Sequence, residues 1–314
     1  MSLHVIVGAG PVGRGTAELL ARAGHEVRVI TRSGTGPQTA GVRLIAADAA
    51  DANALTRSSA GAAAIYNCAN PPYHRWATDW PPLAGSLLAA ATATGAVLVT
   101  MGNLYGYGPP RRAMVESDPL AATGTKGMVR ARMWSDALDA HHAGRVRVTE
   151  ARASDFFGPG LTATSHFGER MVPRLLHGRT VRVIGRTDVA HTWTYIDDVA
   201  RTLVVLGSEE RAWGRPWHVP SNPATTQAEM IAEFCRLAGV RTPKIGVIPH
   251  LAMRAVGIAS PMIRELEETR YQFVAPFVMD STACTDEFCI EATPMDIAIS
   301  ETIAWWRDRA LAAA

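Results

Sequence analysis

The chain has 314 residues, 47% hydrophobic and 19% charged, an ordinary globular composition with length for one large domain or two modest ones. Its formal net charge of +2, from 31 basic and 29 acidic side chains with no basic block, argues against a nucleic-acid or membrane-surface partner. No apolar run approaches the roughly 20 residues of a membrane span, MSLHVIVGAG is too short for a signal peptide, and Cys68, Cys235, Cys284 and Cys289, with neither a CxxC pair nor metal-ligand spacing, read as reduced thiols of a cytoplasmic protein without a metal site.

The first third alternates strand and helix. Leu3–Val7 is a short apolar strand, followed by the turn VGAGPVGRG and a helix over Pro11–Ala23 that stops at Gly24. Gly8, Gly10 and Gly13 form G-x-G-x-x-G directly after a strand and at the start of a helix, the context in which that pattern binds a dinucleotide. Gly8 allows the turn, Gly10 lets backbone approach a pyrophosphate, and Gly13 lets the helix pack close. Pro11, Val12 and Arg14 complete the helix N-terminus that faces the phosphates.

Glu26–Thr31 is a second strand, and its end selects the cofactor. No carboxylate lies between Glu26 and Asp48; Arg32 and Ser33 take the place where an NAD site holds an acid, so NADP is favoured over NAD. A third strand, Val42–Ala46, is followed by Asp48, a candidate either for the adenine amino group or for a helix cap. A helix over Asn53–Ser59 leads to a fourth strand, Ala62–Cys68. Asn67 at its end is placed to pass near the nicotinamide ribose. In NPPYHRW, His74 is a candidate acid or base near neutral pH, or a plain surface histidine.

A helix over Leu83–Thr94 and a fifth strand, Ala96–Thr100, lead into MGNLYGYG. Thr100, Asn103, Tyr105 and Tyr107 thus lie at a carboxyl strand end, where open α/β sheets bind ligands. The tyrosines are either displaced catalytic groups or aromatic plugs of a tight turn. A long helix, Lys126–His142, precedes a sixth strand, Val146–Glu150. After about residue 153 the rhythm loosens. A helix over Glu169–His177, a strand over Val181–Ile184, the acidic-started helix of TYIDDVARTLVVLG, and TTQAEMIAEFCRLAG with Thr225 or Thr226 as cap and Glu229 in its first turn make a less regular lobe. RELEETRYQF carries charges at helical spacing and reads as architecture, with Tyr271 a candidate to reach a pocket.

Five stretches in order carry a family resemblance. VGAGPVGRG opens the chain. NLYGYGP is similar to S-x-x-V-Y-G, ARASDFFGPG to R-x-x-x-V-Y-G-P-G, HTWTYIDDVARTL to R-D-F-x-Y-V-D-D-V-A, and ATPMDIAISETIAWWRD to a closing T-P-x-x-x-x-L-x-x-x-x-x-W-Y. Over nearly its whole length the chain resembles an extended or atypical short-chain dehydrogenase/reductase of the NAD-dependent epimerase/dehydratase group. The resemblance implies a nicotinamide cofactor, a Tyr–Lys–Ser/Thr proton-transfer set, and a homodimer paired through Leu83–Thr94 and Lys126–His142. Lys126 matches the lysine, the expected anchor of the nicotinamide ribose. The tyrosine position is Ala122, no tyrosine occurs between Tyr107 and Tyr195, and the serine position falls on Met101 beside Thr100.

The expected architecture is a Rossmann-type doubly wound parallel sheet over residues 1–153, rejoined by 190–207, with a smaller substrate lobe over 154–314. The expected function is NADP-dependent oxidation or reduction of a small carbonyl or alcohol, with Tyr107, Tyr105 or His74 moving the proton. The alternatives are a cofactor-retaining epimerase, dehydratase or isomerase, and a dinucleotide sensor.

Overall fold

The computed structural model describes residues 1–163 and 165–312. Its first half runs β1 (Leu3–Val7), α1 (Pro11–Arg22), β2 (Glu26–Thr31), β3 (Val42–Ala46), α2 (Ala52–Ser58), β4 (Ala62–Asn67), α3 (Trp76–Thr94), β5 (Val97–Asn103), α4 (Thr125–His142) and β6 (Arg147–Ala153). The second half runs β7 (Asp155–Phe157), α5 (Val172–Leu176), β8 (Val181–Val183), β9 (Ala190–His191), β10 (Trp193–Tyr195), α6 (Ile196–Ser208) and β11 (Pro216–His218). It closes with β12 (Thr225–Thr226), α7 (Gln227–Ala238), β13 (Ile245–Val247), α8 (His250–Ala259), α9 (Pro261–Thr269), α10 (Thr282–Phe288) and α11 (Met295–Ala312).

Seven strands form one parallel sheet in the order β11-β6-β5-β4-β1-β2-β3, the doubly wound architecture expected. The central strands β1, β4 and β5 are buried on both faces and so read as apolar runs, whereas the edge strand β3 is only half-buried. On one face α1 and α6 cover Ile6, Val29, Tyr66 and Val99; on the other α3 and α4 cover Val5, Ile65, Leu98 and Val148. The second half thus contributes both a covering helix, α6, and the edge strand β11. The cap expected at Thr226 is a full capping box with Glu229.

Several boundaries differ from the sequence reading. Helix α3 starts at Trp76, not Leu83, and carries Pro81 and Pro82 inside it. The carbonyls those prolines leave without donors belong to Ala77 and Thr78, which are exposed to water. Strands β5 and β6 each run three residues further, because Met101–Asn103 continues the ladder with Ala151–Ala153. The helix expected from Glu169 begins at Val172, with Pro173 in its first turn.

Candidate active site

The glycine turn is shaped by close backbone approaches. Gly8 has φ +99°, and a Cβ there would lie 2.8 Å from the Cys68 carbonyl oxygen. A Cβ on Gly13 would lie 2.0 Å from the Gly8 carbonyl oxygen, so only glycine lets α1 sit this near β1. Gly10 differs: a Cβ there meets nothing within 4 Å, and the residue caps α1 with no side chain over the helix N-terminus. The turn therefore leaves open space beside the uncapped N-terminus of α1, which fits a pyrophosphate. Pro11 is half-buried, Val12 is buried and Arg14 exposed. Gly160 of the second half approaches Pro11 from above, 3.7 Å from its would-be Cβ.

Around this turn, Arg32 and Ser33 are exposed just past β2, with Ser33 Oγ 2.7 Å from Thr35 Oγ1. Asp48 accepts from Ala50 N at 3.0 Å, so its carboxylate closes its own turn. Asn67 is 1% exposed at the end of β4, and its Oδ1 has no hydrogen-bond partner among the described residues. A buried acceptor left open at a strand end suits a bound group that donates to it.

Beyond the sheet's carboxyl edge, Lys126 is 1% exposed in the first turn of α4. Its Nζ donates to Glu265 Oε2 at 2.5 Å and to Glu268 Oε2 at 3.1 Å, and its backbone N–H donates to Glu268 Oε1 at 2.6 Å. Both glutamates come from α9. Two of the three ammonium donors of Lys126 are thus committed to carboxylates, not left free for a ribose. A Cβ on Gly124 would lie 2.5 Å from Glu268 Oε1, so the carboxylate fills space that glycine vacates. The Lys126 ammonium also lies 5.7 Å from the centre of the Tyr73 ring, and Tyr73 Oη lies 2.8 Å from Tyr105 Oη. Burial raises both phenols above the ordinary tyrosine range, Tyr105 well above it. Tyr271 enters the same surroundings and is pushed up to about 12 by burial.

Strands β7 and β9 bring a carboxylate and a histidine together. His191 is 1% exposed; its Nδ1 faces the Gln272 carbonyl at 3.1 Å and its Nε2 faces Asp155 Oδ2 at 2.8 Å. A carbonyl only accepts, so Nδ1 donates to Gln272, and Nε2 faces the Asp155 carboxylate. His166 bonds Gln227 Oε1 through Nε2 and stacks on Phe273 at 5.0 Å; burial lowers its affinity for a proton.

Other expected site residues have partners of their own or are exposed. Tyr107 is 7% exposed, and its hydroxyl accepts from Arg152 Nη1 at 2.7 Å and lies 2.7 Å from His218 Nε2. Because His218 Nδ1 faces the Asp280 carbonyl at 2.7 Å, Nε2 is the acceptor and the Tyr107 hydroxyl donates to it. Arg152 also pairs with Glu150 at 2.7 Å, so Tyr107 closes a buried ionic network and its hydroxyl is not free to serve a substrate. Asn103 accepts from Tyr105 N at 3.1 Å, which makes it a turn former. Thr100 faces a cavity of about 380 Å³ between α3 and α4. His74 is exposed on the turn before α3. Glu265 and Glu268, read as architecture from the sequence, are the carboxylates that reach Lys126; their one signal was the three-residue spacing that puts both on one helical face.

The model of the NAD dependent epimerase/dehydratase family matches residues 4–218. No curated protein gives a significant match. Among solved structures, dTDP-glucose 4,6-dehydratase from Bacillus anthracis str. Ames, in complex with NAD, is 16% identical over 98% of this chain and 97% of that one, with a TM-score of 0.80. UDP-glucose 4-epimerase from Thermotoga maritima, with UDP-glucose, is 14% identical over 98% and 99%, with a TM-score of 0.81. A double mutant of dTDP-glucose 4,6-dehydratase from Streptomyces venezuelae, with NAD bound, is 19% identical over 98% and 97%, with a TM-score of 0.76. At these identities the likeness is one of fold.

Proposed function

The chain belongs to the NAD dependent epimerase/dehydratase family, and from that premise we propose that it binds a nicotinamide dinucleotide in the Gly8–Gly13 turn and oxidises or reduces a small alcohol or carbonyl. The observation that carries the reading is the open space around Gly10 at an uncapped helix N-terminus. Gly8, Gly10, Pro11, Val12 and Gly13 would hold the pyrophosphate and Arg14 its outer charge. Asn67 would meet the ribose. The bound dinucleotide supplies hydride transfer; the chain supplies orientation, exclusion of water and a proton-transfer group.

At the adenosine end we favour NADP. Arg32 and Ser33 stand exposed where a 2′-phosphate would lie, and the nearest carboxylate, Asp48, is spent on its own turn. The small substrate is favoured by the arginines of the second half. Arg170, Arg174, Arg179, Arg182 and Arg186 are all exposed, Arg174 is tied to the Thr180 carbonyl and Arg186 to Asp188, so they do not converge on a diphosphate.

Calorimetric titration of the cofactor-free protein with NADP⁺, NADPH, NAD⁺ and NADH tests the reading. NADP(H) should bind more tightly than NAD(H), and Arg32→Ala should weaken NADP⁺ about tenfold while leaving NAD⁺ little changed. Tighter NAD(H) binding overturns the NADP preference; binding of none of the four overturns the function.

A further inference from the structure

We propose that Glu265, carried to Lys126 by α9, is the group that exchanges the proton with the substrate oxygen, with Lys126 and Glu268 as its positioning residues; this rests on the function proposed above.

The two carboxylates are not equivalent. Glu268 is bonded through both oxygens, one to the Lys126 backbone N–H and one to its ammonium. Glu265 is bonded through Oε2 alone, and its Oε1 has no hydrogen-bond partner among the described residues. Its side chain is 25% exposed and that of Glu268 26%, so the two differ in bonding and not in exposure. One buried ammonium faces two carboxylates, one of which keeps an oxygen outside that pairing. Glu268 is held at both oxygens, and Glu265 is the member with an oxygen open to a substrate hydroxyl.

The phenols nearby are poorer candidates. Tyr73 and Tyr105 bond each other, and burial raises both, so neither gives up its proton readily. Tyr107 is committed to Arg152 and His218. Ala122 leaves no phenol at the start of α4, and the space over Gly124 is filled by the Glu268 carboxylate instead.

In alcohol oxidation the substrate O–H bond breaks, an O–H bond forms at Glu265 Oε1, and the electron pair of the broken bond becomes the second bond of the carbonyl as the hydride of the proposed function departs. Reduction reverses each change. The ionisable groups on the elements around α9 are Lys126 of α4, Tyr73, His74 and Arg75 of the turn before α3, His250 and Arg254 of α8, and Arg270 and Tyr271 just beyond α9. Arg75 is paired with Asp79, and His250 and Arg270 with Glu267, while Lys126 is the cation bonded to Glu265.

The first test needs no substrate. The protein is treated with a water-soluble carbodiimide and glycine ethyl ester across mildly acid to neutral pH, and modified glutamates are located by mass spectrometry. Glu265 should be modified faster than Glu268; equal or reversed rates overturn the assignment. In the second test Glu265→Gln is compared with wild type on a panel of secondary alcohols and ketones. It should keep its unfolding midpoint and dinucleotide affinity, lose about a hundredfold or more in turnover, and lose the acid limb of the pH profile. Formate should restore part of the rate to Glu265→Ala. Turnover by Glu265→Gln near the wild-type level, a loss matched by lost dinucleotide affinity, or a wild type that binds dinucleotide yet turns over no panel member overturns the proposal. Failure to bind any dinucleotide refutes the proposed function instead, and the labelling contrast still decides whether Glu265 holds the free oxygen.

Discussion

The hydroxyl of Tyr107 lies 2.7 Å from Nε2 of His218, a residue 111 positions later, and joins the turn after β5 to the edge strand β11. The bond is part of the fold's interior: His218 is fully buried and Arg152, the other partner of the hydroxyl, is 2% exposed.

Tyr107→Phe should therefore act on stability. It removes the one hydroxyl that satisfies both Arg152 and His218 while keeping the ring volume, and leaves two buried polar groups short of a partner. The expected cost is about 1–3 kcal/mol, read as a lower urea midpoint, with dinucleotide affinity unchanged.

Two glycines of one turn should respond in opposite ways. Gly10→Ala adds a methyl into open space at φ −66°, which any residue adopts, so stability should change by less than about 0.5 kcal/mol. Dinucleotide binding should nevertheless weaken, because the methyl occupies that space. Gly13→Ala drives a methyl against the Gly8 carbonyl and should cost about 1–3 kcal/mol or more. Thermal unfolding and calorimetric titration of the two variants separate these effects.

Acid should unfold the protein through its buried histidines. Burial, with His25 nearby, lowers His4 from 6.5 to about 4, and burial also lowers His166 and His218. The unfolded chain then binds protons that the fold does not. Stability is complete above the ordinary histidine value of 6.5 and declines as pH falls toward about 4, with His4 contributing up to about 3 kcal/mol of the loss. His4→Gln should flatten the stability profile across that window; an unchanged slope would refute the assignment.

Asp198 should anchor the C-terminal segment. It is fully buried in α6 and accepts from Thr293 N at 2.8 Å, from Thr293 Oγ1 at 2.6 Å, and from Arg201. Asp198→Ala should cost about 3 kcal/mol, and hydrogen exchange should rise first near Thr293.

Much of this molecule is legible in its residues, for local reasons. The glycine turn, the parallel strands and the Thr226–Glu229 capping box each depend on neighbours within a few positions. The ends of β5 and β6 were missed because Met101–Asn103 is strand only by virtue of Ala151–Ala153 beside it. The start of α3 was missed because two prolines signal a break, and only the exposure of Ala77 and Thr78 lets the helix pass through them. The site was legible in its lysine and not in its carboxylates: Glu265 stands 139 residues from Lys126, and nothing within RELEETRYQF marks which of its charges turns inward.

The edge strand β11 pairs with β6 through only Pro216, Trp217 and His218, yet all three come from beyond α6. During synthesis, β6 therefore leaves the ribosome some sixty residues ahead of the strand that will cover its open edge. Until Trp217 arrives, the nascent sheet presents a bare row of β6 peptide groups, a template for pairing with another chain. This makes the interval between the two strands the period when the growing protein is most in need of a chaperone, and a ribosome stalled inside it should release aggregating chains where one stalled beyond residue 218 does not.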